Sequence, residues 1–284
     1  MKIGLIQVDG KLPNIALMKL SKFHKDRGDE VRLIDLSTLD CDKWYGSKIF
    51  MGGTGYQIDS KLPKEIDELT PDYDLYKTDY SIGFTSRGCI RNCGFCIVRE
   101  KEGTFHDEDM RFIQHTKVIL LDNNFLASSK CKEKLNYFIN NKIKVSFNQG
   151  LDIRLVTDEI AQLLSKVKYY DLNFNSRRLY FAWDDLNYEK YVIEGIKILT
   201  NAGIRPDHLM FYVLVGFNTT FEQDYYRFET LDKFGCKPFI MLYNNCRDSK
   251  LRKFSRWVNK RYYKVCTFEE YLKRLEVFDE HNCQ

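Results

Sequence analysis

Three cysteines fall within eight positions in "SRGCIRNCGFC", residues 86–96, after the apolar run "YSIGFT". Thiols at i, i+4 and i+7 in one loop can wrap a compact inorganic cluster and ligate three of its corners, which leaves a fourth open. Structural zinc usually takes four ligands as two separated Cys/His pairs, and "CGFC" has no second pair and no His-x-x-x-His to complete it. Nine cysteines (41, 89, 93, 96, 131, 236, 246, 266 and 283) are an odd number. The opening "MKIGLIQVDG" has too short an apolar run for a secretion signal, so the thiols are expected to be mostly reduced in a cytoplasmic chain. Buried core cysteines are the remaining alternative, and Arg87, Gly88, Arg91 and Asn92 are poor neighbours for a core.

The elements that must carry this loop are legible as a rhythm. From residue 80 onward, runs rich in β-branched and aromatic residues recur: "YSIGFT", "KVILL", "KVSFN", "LYFAW", "LMFYVLV" and "PFIML". Between them lie helical signals. After Thr157, Ile160, Leu163, Leu164 and Val167 fall on one face, and Val192, Ile196 and Leu199 repeat the pattern before a stop at Gly203. A third helix is expected from about Thr220 to Phe234, ending at Gly235. Six strand-helix units with near-continuous apolar strands predict a parallel sheet covered by helices, curling toward an open, partial (β/α)6 TIM-like barrel over residues 77–245, with its chemistry at the strands' C-terminal ends. Residues 1–76 read as a small, truncated Rossmann-like α/β unit with strands at "KIGLIQV", "EVRLIDL" and "KIFMGG". Residues 246–284 read as a short, charged helical extension.

The spacing and position of Cys89, Cys93 and Cys96 resemble the radical S-adenosylmethionine superfamily, whose hallmark is Cys-x-x-x-Cys-x-x-Cys after the first strand of a partial barrel. Phe95 stands where the family often has an aromatic. The resemblance covers residues 77–245 and implies a 4Fe-4S cluster on the three thiolates, S-adenosylmethionine at the open iron, and a 5′-deoxyadenosyl radical that abstracts hydrogen from a substrate. It also implies oxygen sensitivity and an electron donor such as flavodoxin or ferredoxin. By the same resemblance, Asp122 and Asn123 in "LLDNNF" are candidates for the methionine ammonium, with helix capping as the alternative. Gln149 in "NQGLDIR" is a candidate contact to cofactor or substrate, and Arg154 a candidate fork for the methionine carboxylate, against an ordinary surface salt bridge for Arg154. Asp184 in "FAWDD" is a candidate ribose contact, again against capping, and backbone beside Gly216 in "LVGFNTTFEQD" a candidate adenine contact. That last loop departs from the family's pattern at Asn218 and Thr219.

The N-terminal unit resembles a shortened cobalamin-binding domain that lacks the usual histidine signature. His24 reads as a surface or packing residue, and no cobalamin is expected. Methylthiolation is disfavoured because only Cys41 precedes residue 89. Cys236, Cys246, Cys266 and Cys283 are too widely and irregularly spaced to suggest a second cluster. The rival reading is an iron-sulfur module that transfers electrons or binds nucleic acid without cleaving S-adenosylmethionine.

A net charge of +4, from 44 basic and 40 acidic residues, does not by itself announce nucleic acid. Its distribution is uneven, however. "CRDSKLRKFSRWVNKRYYK", residues 246–264, has eight Lys/Arg against one Asp, interleaved with Phe254, Trp257, Tyr262 and Tyr263. Such a segment suits a single-stranded nucleic acid, or else an amphipathic helix with Leu251, Phe254 and Val258 turned inward. The longest apolar run, "LMFYVLVGF", is far below the roughly 20 residues that span a bilayer, so no membrane partner is expected.

Overall fold

Apolar runs alternating with helical stretches become strands and helices in that order. The computed structural model describes residues 1–35, 40–49, 64–244 and 246–281. The chain begins with β1 (Lys2–Gln7), α1 (Ile15–Lys25), β2 (Glu30–Leu33) and β3 (Lys43–Ser47). Next come β4 (Ser81–Gly83), β5 (Ser86–Arg87), α2 (Val98–Glu102), β6 (His106–Asp107) and β7 (Lys117–Leu120). They are followed by α3 (Cys131–Asn140), β8 (Lys144–Phe147), α4 (Asp158–Lys166), β9 (Lys168–Tyr169), β10 (Leu179–Ala182) and α5 (Glu189–Asn201). β11 (Leu209–Val215), α6 (Phe221–Lys233), β12 (Lys237–Leu242), α7 (Ser249–Asn259) and α8 (Phe268–His281) complete the succession. Each of the six apolar runs read from the sequence coincides, to within a residue or two at its ends, with one of β4, β7, β8, β10, β11 and β12. Two units result: Met1–Phe84 with Asp109–Ile119, and Thr85–Glu108 with Leu120–Gln284.

In the first unit β1 is the centre of a parallel sheet ordered β2-β1-β3. Ile3 and Leu5 pack with Leu17 and Leu20 of α1, Tyr45 of β3 and Ile66. Each such buried aliphatic side chain contributes about 1.5–3 kcal/mol. Asn14 caps α1 by accepting from the Leu17 N–H at 3.2 Å. The third strand lies at "KWYGS", with Tyr45 and Gly46 at its buried positions; of the expected "KIFMGG" only Lys48 and Ile49 are among the described residues. The motif "FMGGTGY" falls outside the described residues. His24 is a packing residue, 4 % exposed, with its ring nitrogens 2.7 Å from Asp29 Oδ2 and 3.1 Å from the Tyr45 hydroxyl. β4 and most of β7 belong to this unit, as neighbouring strands.

The second unit is built on β10-β11-β12, all parallel. β11 is central. Leu209, Phe211, Val213 and Val215 are fully buried and the intervening Met210, Tyr212 and Leu214 partly so, as a strand covered on both faces requires. β8 pairs in parallel with the two-residue β9, then passes its pairing to β10 through a bridge from Leu151 to Phe181. The strand β9 had no sequence signal, since "KY" follows its helix with no apolar run. Thr157 caps α4, and Thr220 and Gln223 form a reciprocal capping box on α6. Val192, Ile196 and Leu199 are the buried stripe of α5.

The C-terminal extension is helical and folds as part of this unit. Phe254, Trp257 and Val258 of α7 are buried, and the rings of Phe254 and Trp257 join Phe221, Tyr225 and Phe228 of α6 and Phe268 of α8, with centroids 5.3 Å apart for Phe221–Phe254 and Trp257–Phe268. Thus two of the four aromatics read as stacking platforms for a nucleic acid are instead core. Among the described residues no helix is long and apolar enough to cross a membrane.

Candidate functional site

The cysteine loop hangs from a small clamp. Ser86 and Arg87 pair antiparallel with Asp107 and His106, so residues 88–105 leave and return through one two-strand ladder. Asp122, at the end of β7, fixes the ladder's start: its carboxylate accepts from the Thr85 N–H (2.9 Å), the Thr85 hydroxyl (2.7 Å) and the Ser86 hydroxyl (2.7 Å). Burial raises the Asp122 carboxyl's affinity for a proton, against those hydrogen bonds and the charge of Lys134. From α3, buried Lys134 donates to the Thr85 carbonyl (2.6 Å) and Asp107 (2.7 Å), and Arg87 pairs with Glu102 of α2 at 2.9 Å. Gly88 is obligatory in this path. Its φ is +70°, and a Cβ there would lie 2.6 Å from the Thr104 carbonyl oxygen.

Cys89, Cys93 and Cys96 all line one cavity of about 730 Å³, within the range of small-molecule and cofactor sites. Its walls come from five segments: the cysteine loop, Asn123 and Asn124 after β7, Gln149 to Arg154 after β8, Ala182 to Tyr188 after β10, and Phe217 to Thr219 after β11. Every wall segment but the cysteine loop itself therefore lies at or just after the C-terminal end of a strand, the position at which open α/β sheets gather ligands.

The predicted site residues divide on this cavity. Phe95, Asn123, Gln149, Arg154 and Asp184 line it together with the three cysteines. Asp122 and Gly216 are not among its lining residues. Asp122 is spent on the clamp, and the side chain exposed to the cavity one position later, Asn123, accepts from the Gly88 N–H at 3.2 Å. Gly216, at φ +80°, turns the chain after β11 beneath α7, where a Cβ would meet Leu251 Cδ1 at 3.3 Å. The next three residues form the wall. Asn218 takes a left-handed conformation, φ +52°, which gives this loop the path its sequence left open. Phe217 meets Phe95 edge-on at 5.6 Å and Tyr243 at 4.7 Å, which gives the cavity an aromatic, apolar side.

Three residues that motif reading passed over organise the polar side. Asp152 accepts from Arg154 through Nε (2.6 Å) and Nη2 (3.0 Å) and from Arg91 Nε (2.9 Å). Burial works against that carboxylate, yet the hydrogen bonds and charges of Arg154 and Arg91 prevail and hold it below the usual range. Arg154 does form a salt bridge, as one reading of the sequence had it, but in the cavity wall, with its guanidinium 4.3 Å over the Tyr188 ring. Asn124, 3 % exposed, donates to Cys89 Sγ (3.5 Å) and Asp152 Oδ2 (3.3 Å). The signal for Asp152 was present as Asp-x-Arg in "GLDIR", the turn in which a carboxylate caps the backbone two residues on; here it accepts from the Arg154 N–H at 3.2 Å.

Two titratable groups respond to this enclosure. Burial pushes Asp184 up to about 6, although its carboxylate accepts from the Leu214 N–H at 3.0 Å and senses Arg227 and Arg154. Burial likewise raises the Cys93 thiol, opposed by Arg154.

Among the described residues no three or more His, Cys, Asp or Glu side chains converge as ligands of one metal ion, and this holds for Cys236, Cys246 and Cys266 as well as for the loop. Cys283 lies outside the described residues. The cysteine loop nonetheless suits a larger cluster on two counts. Three soft sulfur donors share one cavity. Cys89 Sγ already accepts from the Arg91 N–H (3.3 Å) and Asn124, the outer donors that stabilise negative charge on a metal-bound thiolate. The sequence matches no protein-family model and shows no significant match to a curated protein.

Proposed function

We propose that this chain is a radical S-adenosylmethionine enzyme, with β4, β7, β8, β10, β11 and β12 as the six strands of a partial (β/α)6 barrel in a cytoplasmic, reducing setting. The observation that carries the proposal is the convergence of Cys89, Cys93 and Cys96 with Phe95, Asn123, Gln149, Arg154 and Asp184 on one cavity, from segments up to 95 residues apart. In this reading the three thiolates hold a 4Fe-4S cluster and S-adenosylmethionine lies beside it. When bound, these groups supply the one-electron cleavage that yields a 5′-deoxyadenosyl radical for hydrogen abstraction.

The chain's own work is to bind, orient and shield. Arg91 and Asn124 place N–H donors on Cys89. Asp152 holds Arg154 against the cavity wall, so a guanidinium edge is presented to an anionic group without being free to swing. Asn123 and Gln149 offer amide oxygens and N–H groups of the kind an ammonium or a nucleoside requires. Asp184 suits a ribose hydroxyl, and with its proton affinity raised to about 6 it can both accept and donate near neutrality. Phe95 and Phe217 close one side with apolar surface, which excludes water from reactive species. Electrons come from a low-potential donor of the flavodoxin or ferredoxin type.

Anaerobically reconstituted protein is expected to carry about four irons per chain and, with dithionite and S-adenosylmethionine, to release 5′-deoxyadenosine. Cys89→Ala is expected to abolish both. Four irons without deoxyadenosine would replace this reading by an electron-transfer module, and bound zinc or no metal at the three sulfurs would end it.

A further inference from the structure

On α7 the charge has an arrangement that its core packing does not require. Phe254, Trp257 and Val258 are buried, and at 100° per residue Arg252, Lys253, Arg256 and the C-capping Lys260 occupy the opposite face. With Arg247 they line a groove of about 650 Å³ between α7, α8 and the end of β12. Among the described residues no carboxylate lines it. Among the described residues none of these five cations forms an ion pair, although the chain has 40 acidic residues and pairs such exposed cations as Lys22, Arg111 and Lys132 elsewhere. Arg247, Arg252, Arg256 and Lys260 are exposed. Five uncompensated cations around a concavity repel one another and hold condensed anions, so the face is set for an anionic partner with several charges in a line.

Geometry narrows the class. Arg252, Arg256 and Lys260 stand at i, i+4 and i+8, about 6 Å apart along the axis at 1.5 Å per residue. That is the order of the separation between successive phosphates on one nucleic-acid strand. The row is single and sits in a groove, which suits one backbone rather than the two that border a duplex groove. Phe254 and Trp257 are buried and Tyr271, the one aromatic in the described lining, is only 7 % exposed, so no ring stands free for base stacking, and the side chains of Ser255 and Asn259 in the lining are hydrogen-bonded to the Ile240 carbonyl. Recognition here rests on phosphate and charge, without base readout.

We propose that the α7–α8 groove binds the phosphodiester backbone of a single-stranded nucleic acid, independently of sequence and of any chemistry in the cysteine-lined cavity. Leu251 of α7 lies beside the Gly216 turn, one residue before Phe217 of the cavity's wall.

The test uses the full chain, without S-adenosylmethionine or reductant, so its outcome is separate from that of the cluster assay. A fluorescein-labelled 20-nucleotide single strand of mixed sequence is titrated by anisotropy from about 50 to 300 mM salt. Binding tighter than about 100 μM at the low end is expected, and five phosphate contacts give a slope of log K against log salt of about −3.5. The charge-reversed triple Arg252→Glu, Arg256→Glu, Lys260→Glu leaves two contacts. Its slope should fall to about −1.4 or less, with affinity at least about tenfold lower. The charge-conserving triple Arg252→Lys, Arg256→Lys, Lys260→Arg should keep the wild-type slope. Circular dichroism and a urea midpoint unchanged in both triples exclude a folding effect. The proposal is overturned if wild type does not bind the strand, if the glutamate triple keeps wild-type affinity and slope, or if a duplex of the same sequence or a phosphatidylserine vesicle is bound in preference.

Discussion

Replacing Arg227 by Met tests whether one buried cation sets the two strand ends that deliver the cavity's far wall. Arg227 is 0 % exposed and donates to the Trp183 carbonyl (2.6 Å), the Leu214 carbonyl (2.7 Å) and Asp224 Oδ1 (2.5 Å). Asp184 follows Trp183, and the Phe217–Thr219 wall follows β11, so the guanidinium ties both to α6. Removing it leaves the Asp224 carboxylate buried and alone, a loss of about 3–5 kcal/mol for a broken buried pair. Part of that is charge and part is two orphaned carbonyls. In Asp224→Asn, Arg227→Met the charge is gone, so the double variant should be more stable than the single by at least about 1 kcal/mol. The sign with pH follows from Asp224, whose carboxyl burial raises against the pull of Thr219 and Arg227. A raised folded-state value means the destabilisation is absent below the unfolded value near 4 and grows as pH climbs through the folded one. The Arg227→Met deficit should accordingly be smaller at pH 5 than at pH 8. Urea unfolding followed by tryptophan emission, with Trp183 beside the lesion, reads all three quantities. A deficit below about 1 kcal/mol, no rescue in the double variant, or a deficit equal at both pH values would refute the positioning argument.

Three further outcomes follow from the site. Gly88→Ala should cost about 1–2 kcal/mol from its positive φ alone. Because its Cβ would also press on the Thr104 carbonyl, iron retained after reconstitution should fall, as a colorimetric iron count would record. Asp122→Ala should lower the urea-derived stability by about 2–4 kcal/mol through the stranded Thr85 and Ser86 donors, whereas a residue that only contacted the cofactor would leave stability unchanged and weaken S-adenosylmethionine binding. For Asp184, a folded-state value raised to about 6 means its charge weakens the fold, by nothing below about pH 4 and by at most about 3 kcal/mol above pH 6. Asp184→Asn, which can still accept from the Leu214 N–H, should match wild type at pH 4 and exceed it in cluster-free protein at pH 7.5; a less stable variant at pH 7.5 would overturn that assignment.

Local sequence carried the succession of elements because strand and helix signals are short-range. The apolar runs at 80, 117, 144, 179, 209 and 238, the caps at Thr157 and Thr220, and the Cys-x-x-x-Cys-x-x-Cys loop are all written within a few residues of where they act. The same locality gave no sign of β9, whose pairing depends on Val145, 24 residues away from Tyr169.

What the sequence could not decide is which of several adjacent polar side chains faces the cavity and which is consumed in holding it. Asp122, Asn123 and Asn124 are consecutive and chemically alike, yet one locks Thr85 and Ser86, one takes the Gly88 amide, and one reaches Cys89 and Asp152. Likewise, the basic run at 246–264 became a one-sided cationic groove only because the aromatic rings of α6 and α8 claimed Phe254 and Trp257. A side chain's partner is fixed by burial and by groups tens of residues distant, so identity and spacing set what chemistry is possible, and the packed structure selects which atoms are left to perform it.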